Sequence, residues 1–148
     1  MSEQKIYPVP EAFKRQTLMD RQTYDRWYQQ SIDDPDTFWA ERADQLLDWQ
    51  TRWDTVSDWD FKEGRAAWFQ GGKLNACYNC VDRHLPERAQ QTAIIWEGDE
   101  PDQEKHITYQ ELFEQVSRFA NALKDRGVKK GDRVVIYMPM IPEAAYAM

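Results

Sequence analysis

The apolar positions change character along the chain, and the change falls near residue 85. Before it, short helical patterns alternate with charged, ring-rich connections. In "DRQTYDRWYQQS" Tyr24, Trp27 and Tyr28 stand at i, i+3 and i+4, which gives a helix one apolar face, and Asp20 is placed to cap it. In "DDPDTFWAERADQLLDW" Asp34 is the natural N-cap and Pro35 the first helical residue, where a missing N–H costs nothing. Trp39, Ala43, Leu46 and Leu47 then predict the buried side. From Asp48 to Gly64 the rings keep no period, so this stretch reads as extended or loop chain wrapped on a larger surface.

From Thr92 onward strands and helices alternate. "TAIIW" is a short β-branched run, and "EGDEPD" carries the turn residues that end a strand. In "ITYQELFEQVSRFANALKDRGV" Thr108 and Glu111 form a capping box. Leu112, Val116, Phe119 and Leu123 mark one helix face, and Gly127 supplies the left-handed stop. "KKGD" turns the chain into a second strand, "RVVIYM", before Pro139 and Pro142 and a last helix starting at Pro142 or Glu143. This order is a βαβ unit and predicts a mainly parallel sheet, hence an α/β fold. The last helix stops within two turns, without a C-terminal signal, and two parallel strands cannot cover their sheet. The expectation is a chain cut inside an element, with its flanking strands elsewhere.

Composition narrows the function classes. A formal charge of −7 over 148 residues, with a pI near 4.9, offers no basic face for nucleic acid or an anionic membrane. "MSEQKIYPVPEAFK" lacks the pattern of a signal peptide, and no run approaches the ~20 apolar residues of a membrane span. A soluble cytoplasmic protein with two reduced cysteines follows. Six of the seven tryptophans precede residue 70, so large rings are expected to anchor that half.

Candidate chemistry concentrates in "WFQGGKLNACYNCVDRHL", Trp68 to Leu85. A phosphate loop needs a Gly five residues before Gly72 and a Ser or Thr after Lys73, and the chain has Ala67 and Leu74 there. Cys77, Cys80 and His84, with His106 distant, fall short of a closed zinc set. A redox pair at Cys77 and Cys80 would need a preceding strand, which the pattern lacks. The favoured reading is structural. Cys77, Tyr78, Val81 and Leu85 pack, Asn75 and Asn79 satisfy local backbone, and Asp82, Arg83 and His84 form a polar lock. Glu97, Asp99, Glu100 and Asp102 read as a solvated acidic loop, since they lack EF-hand spacing.

The combination of "GGKLNACYNCVDRHL", "TAIIWEGDEP", "ITYQEL" and "RFANALKDRGVKKGDRVVIYMPMIPEAAYAM" resembles the N-terminal end of the AMP-forming acetyl-coenzyme A synthetases, within the adenylate-forming acyl-CoA synthetase and luciferase superfamily. The resemblance implies a helical, aromatic-rich cap over residues 1–85 and the incomplete start of an AMP-binding domain over 86–148. It also implies acetate, ATP, Mg2+ and coenzyme A as substrates and cofactor of the parent chain, with acetyl-AMP as intermediate. None of these ligands is expected on the fragment itself, whose partner is the remainder of its own chain. In that family the phosphate loop, the ribose carboxylate and the catalytic lysine lie past the position matching Met148, so no catalytic, cofactor-binding or metal residue is assigned here. A propionyl- or other short-chain acyl-CoA synthetase is the nearest alternative. A standalone binding or assembly module is the alternative from another class.

Overall fold

The computed structural model describes residues 7–148, which divide into two compact units, one ending at Lys73 and one running from Leu74 to Met148. The first unit holds three helices and a hairpin: α1 (Glu11–Gln16), α2 (Arg21–Asp33), α3 (Pro35–Leu46), β1 (Thr55–Asp60) and β2 (Arg65–Gln70). Both caps expected from the sequence are present. Asp20 accepts from the Thr23 amide at 2.7 Å and Asp34 from the Thr37 amide at 3.2 Å, with Pro35 opening α3. The face of α3 differs from the expected one. Phe38 and Ala43 are buried, while Trp39 and Leu46 are exposed. Phe38 turns inward because Trp27 of α2 meets it edge-on at 6.4 Å and the Arg42 guanidinium closes over the Trp27 ring at 4.2 Å.

Within the stretch expected as extended or loop chain, Asp48 to Gly64, Thr55–Asp60 forms one strand of an antiparallel hairpin, with Ser57 opposite Trp68 and Trp59 opposite Ala66. The strand is hard to read from "TVSDWD" because acids interrupt it and its ring, Trp59, faces outward. The acids have local work, however: Asp58 pairs with Arg65 at 2.6 Å, and Asp60 accepts the Lys62 and Glu63 amides in the turn. The core of this unit is a triangle of rings. Trp49, Trp53 and Phe69 have centroids 4.8, 5.0 and 5.6 Å apart, and Trp53 is buried. Phe69 reaches it from a left-handed backbone at φ 48°, a conformation that costs a bulky residue free energy.

The second unit contains α4 (Ala76–Cys80), a 3-10 turn (Asp82–His84), α5 (Leu85–Arg88), β3 (Thr92–Glu97), β4 (Glu104–Thr108), α6 (Tyr109–Asp125) and α7 (Pro142–Ala147). Mixed α/β content is as the sequence implied. The pairing is not parallel: β3 and β4 form an antiparallel hairpin with Ile94 opposite Ile107 and Trp96 opposite Lys105. "EKHIT" completes the β3 strand across the acidic turn, and its polar outward positions hid it. Residues 133–138, expected as the second parallel strand, pair with no strand among the described residues. Val135 is 87% and Tyr137 99% exposed.

Val81, Ile107 and Leu112 form the buried cluster, with Ile94, Val116 and Tyr146 packed against it. The start of α6 is held by the expected capping box. Thr108 Oγ1 accepts from the Glu111 amide at 3.2 Å, and Glu111 Oε2 accepts from the Thr108 amide at 2.8 Å. Those bonds from Thr108 hold the Glu111 carboxyl below its ordinary value, the backbone bond being the larger cause. The resulting stabilisation is present above the unfolded carboxylate value and is lost as pH falls through the depressed folded one. Gly127, at φ 82°, ends the helix as expected.

Two outcomes are expected. Thr108→Ala should lower stability by about 1 kcal/mol in a denaturant titration; an unchanged midpoint would count against the cap. The exposed apolar run at 134–138 should make the chain associate with rising concentration, and Val135→Lys should suppress this in sedimentation measurements. Identical sedimentation of both forms would remove the run as the cause.

Candidate functional site

The Gly-Gly-Lys turn closes the first unit. Its amides are already used: Gly72 N–H donates to the Phe69 carbonyl at 3.0 Å and Lys73 N–H to the Thr51 carbonyl at 2.9 Å. The Lys73 carbonyl in turn accepts from Gln50 and Thr51. A phosphate cradle needs free amides converging on one point, and this turn offers neither Gly72 nor Lys73. The glycines serve packing. A Cβ on Gly72 would lie 2.7 Å from Trp49 and 2.9 Å from the Phe69 carbonyl, and one on Gly71, at φ 78°, would meet the Asp54 carboxylate. The trait that imitates a nucleotide loop is therefore the close approach of backbone to the Trp49 ring.

The rest of the stretch belongs to the second unit. Asn75 caps α4 by accepting from the Tyr78 amide at 3.0 Å, and buried Asn79 donates its side-chain amide to the Asn75 carbonyl at 3.0 Å. Val81 enters the core, as the packing reading expected, whereas Tyr78 is exposed. His84 meets the Tyr109 ring at a tilt of 49°, with ring centroids 5.2 Å apart, which fastens the 3-10 turn to the start of α6. Cys77 and Cys80 are both exposed. Cys77 donates to Asp82 Oδ2 at 3.8 Å, and partial burial, followed by the Asp82 charge, pushes its thiol above the ordinary value. His106 lies on β4 opposite Ile95, with its Nε2 3.8 Å from Glu104. Among the described residues no three His, Cys, Asp or Glu side chains come together as a metal-holding group.

The acidic connection of β3 to β4 is a compact turn. Gly98 N–H donates to the Gln103 carbonyl at 2.7 Å, and Gln103 N–H to the Glu100 carbonyl at 3.0 Å. Sequence reading missed one tie: Trp96 Nε1 donates to the Met140 carbonyl at 2.7 Å, anchoring the segment before α7 to β3. Only the lone tryptophan after residue 70 hinted at it. No helix among the described residues is long and apolar enough to cross a membrane.

The packing role of Gly72 is open to test. Gly72→Ala should destabilise the chain by roughly 1 to 3 kcal/mol through overpacking against Trp49. Thermal unfolding followed by tryptophan fluorescence measures it, and a neutral result would show that the ring can yield.

Comparison with known proteins places this architecture. Residues 24–80 match the family model for the acetyl-coenzyme A synthetase N-terminus, and residues 81–148 that for AMP-binding enzymes. An acetyl-coenzyme A synthetase of Alcanivorax borkumensis is 80% identical over all 148 residues, and one of Halorhodospira halophila is 60% identical over the same span. The chain covers 23% of the length of each of these relatives. The solved acetoacetyl-CoA synthetase from Streptomyces lividans is similar over 87% of this chain and 19% of its own, with 32% identity and a TM-score of 0.72. Through both segments, and across its whole length, the chain belongs to the acetyl-coenzyme A synthetase family of AMP-binding enzymes and matches the N-terminal part of its members.

Proposed function

We propose that this chain is the opening segment of a ligase that activates acetate with ATP, giving acetyl-AMP and pyrophosphate, and then transfers the acetyl group to coenzyme A with release of AMP. The observation that carries this reading is the 80% identity, without interruption of coverage, to an acetyl-coenzyme A synthetase. Magnesium accompanies ATP in this reading. The described residues do not fit either group, because the Gly72 and Lys73 amides are spent on backbone carbonyls and no metal-holding cluster forms among them. No chemical step is therefore assigned to a side chain of this segment. Its work is to fold as a cap, over about residues 1–85, and to begin the AMP-binding domain, over about 86–148. The protein works in the cytoplasm on small molecules, consistent with its acidic charge of −7 and unsuited to nucleic acid.

A second reading changes the acyl group only. The similarity to an acetoacetyl-CoA synthetase favours testing acids longer than acetate, propionate included. The purified parent protein should release pyrophosphate from ATP on addition of acetate and form acetyl-CoA, while the 148-residue chain alone releases none. A parent that forms no thioester with acetate, propionate or acetoacetate overturns the proposal. A clear preference by kcat/KM for a longer acid replaces acetate and leaves the ligase standing.

A further inference from the structure

Cys77 and Cys80 stand one helical turn apart on α4, and both are exposed. Side chains at i and i+3 share a helix face, and here both cysteines line one cavity of about 320 Å³. The rest of its wall is largely apolar, with Val81, Ile94, Leu112 and Val116 contributing. Asp82 Oδ2 stands 3.8 Å from the Cys77 sulfur, yet among the described residues no metal-holding group forms, and zinc takes about four ligands in a closed site. The two sulfurs do suit a soft centre with two exchangeable positions and one organic substituent, since thiolates select soft partners.

We propose that Cys77 and Cys80 form a dithiol site for an organic trivalent arsenical, with both sulfurs bonded to arsenic and its organic group in the apolar cavity. The step is a condensation without redox change. An arsine oxide, R–As=O, reacts with the two thiols; two As–S bonds form, both S–H bonds and the As=O bond break, and one water leaves carrying both hydrogens. Arsenic stays trivalent throughout. The raised Cys77 thiol disfavours chemistry that needs a standing thiolate, such as alkylation, but the condensation delivers its proton to the departing oxygen. Once one sulfur has bonded, the second attack is intramolecular, which raises its effective concentration. The cavity adds a preference for a ring over a methyl group, because more apolar surface leaves water.

Phenylarsine oxide, added to the full chain in excess monothiol and followed by intact-mass spectrometry, tests this directly. One phenylarsenic adduct per chain is expected, stable to the monothiol and stripped by a 1,2-dithiol. Cys77→Ser and Cys80→Ser should each weaken retention roughly a hundredfold, because each removes the intramolecular second bond. The phenyl compound should resist the 1,2-dithiol better than methylarsine oxide. No adduct on the unaltered chain, or one equally durable on either single-cysteine variant, overturns the site. Equal retention of phenyl and methyl compounds overturns the role of the cavity. The competition on the unaltered chain needs no substitution, so its outcome does not depend on whether a variant folds.

Discussion

Very little apolar surface is removed from water in this chain, and the rest of the structure follows from that constraint. Among the described residues the buried hydrophobic side chains are Phe38, Ala43, Trp53, Val81, Ile107 and Leu112, and no large side chain is completely enclosed. Among those residues neither unit has a broad core, so closure is local: caps, tight hairpins and small groups of rings. Aromatic side chains suit this task because each covers a large area with few rotatable bonds. The Trp49, Trp53 and Phe69 triangle shows the cost, since Phe69 adopts a left-handed backbone to reach it.

The same constraint explains why residue types that often signal chemistry are engaged here in packing and backbone pairing. Gly71 and Gly72 are small because Asp54 and Trp49 stand against them, and the adjoining amides complete backbone pairs. Asn75 and Asn79 are polar because a short helix must satisfy its own ends. His84 is a ring partner for Tyr109. In each case a residue type that often signals catalysis does structural work where aliphatic packing is thin. The cysteines differ, since both remain exposed on one wall of a cavity.

Family membership fits this division of labour. The chain spans 23% of the length of the relatives it matches, and in the proposed reading it supplies the cap and the first elements of a larger domain. The tie from Trp96 to the Met140 carbonyl and the packing of Tyr146 on the Val81 cluster secure α7 to the second unit.

Local signals were legible because they are short-range and stereochemical. The caps at Asp20, Asp34 and Thr108, the stop at Gly127 and the starts of β3 and α7 all depend on residues within about one turn of each other. The sequence alone therefore determined most helices and, through its motifs, the family. Strand pairing was decided only in three dimensions. "TVSDWD" and "EKHIT" are largely polar and pair across turns, so their periodicity is weak, and "RVVIYM" looks like a strand yet finds no partner among the described residues. The choice of Phe38 over Trp39 for the inside of α3 was likewise set by Trp27 of the neighbouring helix. Pairing and facing depend on what lies opposite, and a one-dimensional pattern does not contain that information.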